Sequence, residues 1–293
     1  MRSIRKLYFK NAAGDRFDLN GKDGAYATAL ACFGFSLSPS FSNLGRGFFP
    51  VVSDNNEPQN PLAFSIVLTR DPYAAHQALM NWLSAAKVLT IVYNPTGAQE
   101  YYRDVTVGFI QKGELNKVGW LDLLCSFNCL TPWYLPLPTT LQISGAAQDG
   151  GKRYDYVYTD DLRYGADSVA SMSAVIAAVG HIPGALQLTL RGAVTNPQLK
   201  LVGNNSGRTI GVCSLAVALA ETDALVFSSR YEDSFVKKIG ADGVETDLLD
   251  VLDLKLSPFF HTSVDEPCTL FVEAAAEFTG RAELLIYHYF RSV

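Results

Sequence analysis

The stretch Lys112–Pro136, KGELNKVGWLDLLCSFNCLTPWYLP, decides the fold of the first half of this chain. Apolar residues occupy every second position of its middle part, and alternate residues of a β-strand point to the same face of a sheet. The apolar set consists of Leu121, Leu123, Cys125, Phe127 and Cys129. The opposite set, Trp120, Asp122, Leu124 and Ser126, is mixed. We therefore predict a hairpin whose second strand places the first set on a core.

The segment Thr131–Tyr134 predicts the end of this strand ladder. Pro132 offers no N–H group for pairing, and Pro136 follows almost at once. The next residues are rich in glycine, which is typical of a linker. We predict a first domain over residues 1–138, a linker over 139–152 and a second domain over 153–293.

The composition predicts a folded, mainly β protein. The 293 residues are 48% hydrophobic and 18% charged, which is enough to fill a large core. Short apolar runs are separated by proline and glycine throughout, as in all-β folds. No run approaches the roughly 18 uninterrupted apolar residues of a membrane span. The basic N-terminus lacks the apolar core of a signal peptide, so we expect no secretion and no membrane partner.

One helix interrupts the predicted strands of the first half. Asp71 and Pro72 favour a helix start, and apolar residues then recur on one face up to Ala86. The order of strands, helix and strands favours an α+β domain, built as a β-barrel or sandwich with one helix. The predicted strands are Lys6–Lys10, Arg16–Leu19, Ala29–Ser42, Gly45–Val52, Leu62–Thr69, Lys87–Tyr93 and Tyr101–Gln111.

Short strands recur along the second half at the spacing of a β-sandwich. They are predicted at Leu186–Arg191, Gln198–Val202, Thr209–Ala218, Ala224–Ser229, Ser234–Ile239, Asp253–His261, Cys268–Ala275 and Glu283–Arg291. The last strand could stay with this sandwich or return to the first domain.

Charge and cysteine content narrow the function classes. Residues 1–135 carry 12 Lys and Arg against 10 Asp and Glu, whereas residues 136–293 carry 12 against 19. Neither half has the basic stripe that gripping DNA requires. The five cysteines lie in apolar runs, which favours buried thiols over disulfides or a metal site.

The residues indicate no enzyme, no cofactor and no metal site. No phosphate-binding glycine loop, nucleophile elbow or paired CxxC occurs. Asp247, Asp250 and Asp253 lack the ligand spacing of a calcium loop and are read as a solvated acidic turn. His181, His261 and His288 lack carboxylate or cysteine partners at ligand spacing. A wall-degrading hydrolase with two carboxylates in a cleft stays open, because a sequence cannot place such a pair.

The tyrosines Tyr154, Tyr156 and Tyr158 are candidate glycan-stacking residues. Their strand spacing would place the three rings on one face, where they could stack on a sugar or lie half-buried in a sheet. Trp133 and Tyr134 are a second candidate pair for the same role. These residues carry the alternative function, a carbohydrate-binding β-sandwich module that adheres to host cell-wall or surface glycans.

The ordered motifs resemble the first domain of the siphophage distal tail proteins (Dit). In that family a strand ending in KGE, a polar turn and a strand ending in a TPWY-like stop follow a helix such as Asp71–Ala86. The second half is similar in layout, with His181-Ile182-Pro183 before a strand, Asn196-Pro197 opening the next, and a run from Leu225 to Phe260. The motifs are short and structural, so their order carries the resemblance.

The resemblance implies a structural phage or prophage tail protein. Its first domain would assemble into a hexameric ring at the distal end of the virion tail, and its second would be a galectin-like β-sandwich. The implied partners are further copies of the chain, the tail tube protein and a tail-tip protein, with receptor-binding or baseplate proteins as further candidates. DNA would pass through the lumen without specific binding, and the protein would be made in the cytoplasm of the bacterial host.

Overall fold

The computed structural model of this chain describes residues 5–31, 33–34, 40–43, 48–52, 61–86, 88–144, 171–253, 258–274 and 281–293. The chain divides into two compact units. The first unit is Met1–Leu135 with Phe290–Val293, and the second unit is Pro136–Tyr289.

Antiparallel strands and one helix build the first unit within the described residues. Its elements are β1 (Lys6–Asn11), β2 (Arg16–Asp18), β3 (Ala25–Ala31), β4 (Ser40–Asn43), β5 (Phe48–Val52), β6 (Leu62–Leu68), α1 (Pro72–Ala85), β7 (Leu89–Asn94), β8 (Tyr101–Leu115), β9 (Leu121–Cys129) and the start of β10 (Trp133–Thr140).

Strand β8 belongs to two ladders of this unit. Its first part, from Tyr101 to Val105, pairs with β7, and β7 continues through β1 to β2. From Val105 onward β8 pairs with β9, which continues through β6 to β3. The mainly β prediction with one helix is confirmed.

The alternating patterns of the sequence form the core of the first unit. The predicted face of β9 is buried from Leu121 to Cys129, and β6 buries Leu62, Phe64, Ile66 and Leu68 in the same way. The rings of Phe9 and Phe64 each lie 5.2 Å from the ring of Phe127. Phe9 comes from the β7–β1–β2 ladder, whereas Phe64 and Phe127 come from the paired strands β6 and β9, so this core holds the two ladders together.

Helix α1 covers this core with the face that its periodicity predicts. Leu79 is fully buried, and the Trp82 ring lies 6.2 Å from Phe9 and 6.0 Å from Phe17. Asp71 holds the N-cap position, but its backbone is left-handed (φ 38°) and its side chain makes no capping hydrogen bond. Pro72 supplies the helix start instead, since its fixed φ suits the first helical position.

The predicted stop at Thr131–Tyr134 is a short break and not the end of strand structure. The chain resumes as β10 at Trp133, where Tyr134 pairs with Tyr102 of β8. Proline keeps an extended backbone and loses only its N–H, so Pro136 and Pro138 are compatible with a strand that lacks pairing at those positions. Residues 139–144, read from the sequence as linker, lie largely in β10 and in β11 (Gln142–Ser144).

The second unit contains two antiparallel sheets over a shared core. Its remaining elements are β12 (Ser171–Ile176), β13 (Ile182–Arg191), β14 (Val194–Thr195), β15 (Gln198–Gly203), β16 (Thr209–Ser214), β17 (Ala218–Leu219), β18 (Ala224–Arg230), β19 (Asp233–Ile239), β20 (Glu245–Asp247), the 3-10 helix η1 (Leu249–Val251), β21 (Cys268–Glu273) and β22 (Arg281–Phe290).

The sheet orders follow from the described pairings. One sheet runs β22-β13-β18-β19-β20 and the other β11-β12-β21-β15-β16. Leu188 of β13 and Leu201 of β15 lie in one buried cluster, so the two sheets share an apolar interior. This is the β-sandwich that the strand spacing predicts.

In the second half one predicted strand is absent from the described residues, one observed strand was not predicted, and the position of the last strand is answered. Asp253 and residues 258–261 lie outside any strand. Phe260 is buried in the core and Phe259 packs against it, both from an irregular segment, so an apolar run was mistaken for a strand. Strand β12 was missed, although Met172, Ala174 and Ile176 are buried in alternation. The last strand, β22, pairs with β13, while Phe290 lies in the first unit, 5.3 Å from the ring of Tyr101.

Candidate assembly surface

Residues 106–128, here called the arm, are the outer part of the β8–β9 hairpin. On β9 the residues facing the core are buried, from Leu121 to Phe127. On β8 all residues from Thr106 to Leu115 are exposed, except for Ile110, which is half-buried. Both faces of this part of β8 are therefore open to solvent, which is unusual for a strand with this many apolar residues.

The arm exposes six large apolar side chains. The most exposed is Val118 with 70% of its surface accessible, and Phe109 and Leu124 keep nearly half. The complete set is Val107, Phe109, Leu115, Val118, Trp120 and Leu124. Several exposed apolar side chains on one hairpin mark a protein contact more often than singly scattered ones do.

Phe109 and Leu124 lie on the same outer face of the arm. Phe109 is opposite Ser126, and Gln111 is opposite Leu124. The two apolar residues are thus diagonal neighbours across the ladder, within reach of each other's side chains. Together they give the outer face of the arm an apolar centre.

The edge of β8 is also unpaired along the arm. Between Thr106 and Leu115 this strand pairs with β9 on one side, and the described residues provide no strand on its other side. Unpaired N–H and C=O groups along an edge accept a further strand from another chain. The edge and the apolar side chains therefore offer two kinds of contact at one place.

A fixed turn holds the tip of the arm. Asn116 accepts hydrogen bonds at its Oδ1 from the backbone N–H groups of Val118 and Trp120, each at 3.0 Å. Gly119 adopts a positive φ of 83°, which glycine allows without strain. The tip therefore presents Val118 and Trp120 in a preorganised position.

Lys112 joins the arm to the helix. Its ammonium group lies over the Tyr73 ring, 4.7 Å from the centroid. Burial and the charge of Lys112 lower the pKa of His76 on the same helix.

The described residues hold no group of three or more metal-binding side chains. Burial raises the pKa of the Cys125 and Cys213 thiols to about 12, so these thiols are poor nucleophiles. Asp247 accepts a hydrogen bond from the N–H of Leu249 at 3.0 Å and thereby stabilises the predicted acidic turn. None of the described helices is long and apolar enough to cross a membrane.

Of the two sets of residues predicted to stack on a glycan, the structure describes only one. Tyr154, Tyr156 and Tyr158 lie outside the described residues. Trp133 has no exposed surface and Tyr134 is buried as well, so this pair cannot stack on a sugar. Trp133 instead packs against the rings of Phe33 and Tyr93, at 5.5 and 6.1 Å.

The comparison with protein families identifies the first unit. Residues 6–130 match the model described as the distal tail protein, N-terminal domain. This part of the chain is similar to the N-terminal domain of distal tail proteins. The resemblance read from the ordered motifs is confirmed, and the arm is part of this distal tail domain.

Solved structures share the fold of the whole chain. A chain of the phage P2 baseplate, in its activated conformation with Ca, has 13% sequence identity and a TM-score of 0.63, with 99% of this chain and 100% of that chain covered. The Dit protein of phage SPP1, described as a paradigm of hub adsorption apparatus in phages that infect Gram-positive bacteria, has 11% identity and a TM-score of 0.57. The coverage there is 96% of this chain and 98% of that chain. No curated protein matches the sequence.

The sequence pattern did not predict that the apolar residues of the arm are exposed to solvent. Phe109, Trp120 and Leu124 look like ordinary strand residues, and the alternation along Trp120–Cys129 assigns only Trp120 and Leu124 of these three to the outer face. Because exposure depends on which elements cover β8, no periodicity within the strand shows it. The run of apolar residues around the glycine turn at Gly119 was the available signal.

Proposed function

We propose that this protein is a structural component of a phage or prophage tail. It forms a homo-hexameric ring that joins the tail tube to the tail tip or baseplate. The exposed apolar arm of the distal tail domain carries this proposal, because such a surface needs a protein partner. The first domain makes the ring.

The charge balance of the first domain supports a ring around a DNA passage. Residues 1–135 are close to neutral, with 12 Lys and Arg against 10 Asp and Glu. Each phosphate that a protein neutralises adds affinity, so a wall with little net positive charge lets DNA slide. The function needs no catalysis and no cofactor. The protein resides at the distal end of the virion tail after synthesis in the host cytoplasm.

The partners are other tail proteins. The two ends of the ring contact the tail tube protein and a tail-tip protein, and the sandwich is available to receptor-binding or baseplate proteins. The full-length likeness to a baseplate chain and to a hub protein supports this arrangement at the level of the fold.

Electron microscopy and light scattering of the purified protein test the ring. We expect particles with six-fold symmetry and a mass six times the 31.9 kDa of the chain. Immunogold labelling of virions should then place the protein at the tail end. A strict monomer at high concentration that binds no tail protein would refute the proposal.

A further inference from the structure

A groove of about 690 Å³ lies at one end of the second unit, outside the arm and its domain. It is lined by Asn205, Ser206, Arg208, Ile210, Ser263, Asp265 and Glu266. Its volume falls in the range of about 300–1,000 Å³ that ligand pockets occupy. The lining combines donors, acceptors and one apolar side chain.

Glu266 holds one wall of the groove in place. Its Oε2 accepts hydrogen bonds from the backbone N–H groups of Asn205 and Ser206, at 2.8 and 2.9 Å, and its Oε1 accepts one from the Ser206 hydroxyl at 2.6 Å. These bonds lower the pKa of the Glu266 carboxyl group. The carboxylate thus fixes the turn from Asn204 to Ser206 and is itself fully engaged.

Neighbouring contacts make this wall rigid. Gly203 lies so close to Glu266 that a Cβ atom there would be 2.3 Å from the carboxylate oxygen. The Thr269 hydroxyl donates a hydrogen bond to the Asn204 amide oxygen at 2.7 Å, which ties the turn to β21. A preorganised wall lowers the entropy that a bound ligand must overcome.

Three polar side chains of the lining remain unengaged. Within the described part of the chain, the side chains of Asn205, Arg208 and Asp265 form no hydrogen bond or ion pair. They provide guanidinium and amide donors together with amide and carboxylate acceptors. Ile210 adds an apolar surface beside them.

The charges in the groove decide which class of ligand fits. The carboxylates of Asp265 and Glu266 repel an anion such as phosphate. The Arg208 guanidinium repels a metal cation. A neutral ligand that both donates and accepts hydrogen bonds avoids both penalties. Saccharides match this description, because each hydroxyl group donates and accepts and the ring also presents C–H groups to an apolar residue.

We infer that this groove binds a neutral saccharide through Asn205, Arg208 and Asp265. Binding here is a second activity beside the proposed ring and uses none of the tyrosines in the segment from Tyr154 to Tyr158. It gives the sandwich a direct contact with glycans on a surface.

A glycan array with the purified full-length protein tests the inference, followed by calorimetric titration with the strongest neutral oligosaccharide. We expect Arg208→Ala and Asp265→Asn each to weaken binding about tenfold or more, since each removes charge-assisted hydrogen bonds. Arg191→Ala and Asp242→Asn are matched controls, because both residues are exposed in the same unit and neither lines the groove.

Three results would overturn the inference. They are an array without any neutral glycan bound, binding that both groove variants retain, and a preference for inorganic phosphate over every neutral saccharide. Light scattering on the same samples distinguishes a failure of the groove from a failure of ring assembly, because the groove variants should assemble like the unchanged protein. Loss of glycan binding with an intact ring supports the groove.

Discussion

The guanidinium of Arg103 lies over the Trp133 ring, 5.5 Å from its centroid, and Arg103 Nε donates a hydrogen bond to the Thr131 carbonyl at 2.9 Å. The N–H of Asp104 donates to the Thr131 hydroxyl at 3.0 Å. The break between β9 and β10 is therefore fastened to β8 at three points. It is a fixed corner of the first unit.

Trp133→Ala should destabilise the first unit by about 3–5 kcal/mol, because it leaves a cavity between Phe33 and Tyr93. Arg103→Ala should cost about 2 kcal/mol through the lost hydrogen bond and the lost contact with the ring. Urea denaturation followed by circular dichroism measures both. Trp120→Ala is the control, since Trp120 is exposed at the tip of the arm. Equal effects of the two tryptophan substitutions would contradict this account.

Leu124→Asp should prevent ring assembly and leave the unit folded. A charge placed beside Phe109 at an interface must lose its water without gaining a partner, whereas in the free chain it stays solvated. Light scattering should then show a monomer, with a free energy of unfolding within about 0.5 kcal/mol of the unchanged protein. Leu249→Asp is the matched control, because Leu249 is similarly exposed in the second unit. A ring formed by the Leu124 variant would exclude the arm from the interface.

Gly211→Ala should destabilise the second unit by about 1–3 kcal/mol through overpacking. A Cβ at this position would lie 2.3 Å from the Phe260 Cβ, and Phe260 is buried against the Phe227 ring at 5.4 Å. Thermal unfolding measures the loss. The double variant with Phe260→Leu should lose less than the sum of the two single changes, because the residues touch. Gly34→Ala, where nothing lies within 4 Å, should be nearly neutral.

The second unit should lose stability as the pH falls below about 6.5, the ordinary pKa of histidine. Burial lowers the pKa of His288, whose Nδ1 lies 3.2 Å from the Val179 carbonyl, and burial also lowers that of His261. The unfolded chain then binds more protons than the folded one, so the free energy of unfolding decreases as pH falls toward the folded pKa.

Melting temperatures between pH 8 and pH 5 check this dependence. His288→Gln should reduce the slope in this window without removing it, because the pKa of His261 in the same unit is lowered as well. The lowered pKa of Asp223 acts at lower pH, where its ion pair with Lys238 is lost as the carboxylate is protonated. A melting temperature that rises as the pH falls from 7 to 5.5 would contradict the assignment.

Much of the fold was readable from local patterns. The alternation from Leu121 to Cys129 predicted a buried strand face, and the Asp71-Pro72 pair predicted the start of the helix. The errors arose where neighbours decide the outcome. Phe260 reaches the core without a strand because the sandwich leaves space beside Gly211, which no pattern around Phe260 indicates.

The candidate sites were less predictable than the fold. The groove brings Asn205 and Arg208 together with Asp265, almost sixty residues further along the chain, through the hydrogen bonds of Glu266. Trp133 and Tyr134 looked like surface aromatics at a boundary, yet the strands around them bury both. Burial is a property of the assembled sheet and cannot be assigned to a residue type.

The sequence by itself determined most of the strands of the described residues, where the one described helix lies and which face of β9 enters a core. The reason is that side-chain direction follows the backbone period of two or of 3.6 residues. Only the tertiary structure decided that β8 extends beyond its neighbour β7 and leaves Phe109 and Leu124 open to solvent. Exposure depends on which strands lie beside a residue, and that is settled by packing between segments far apart in the chain.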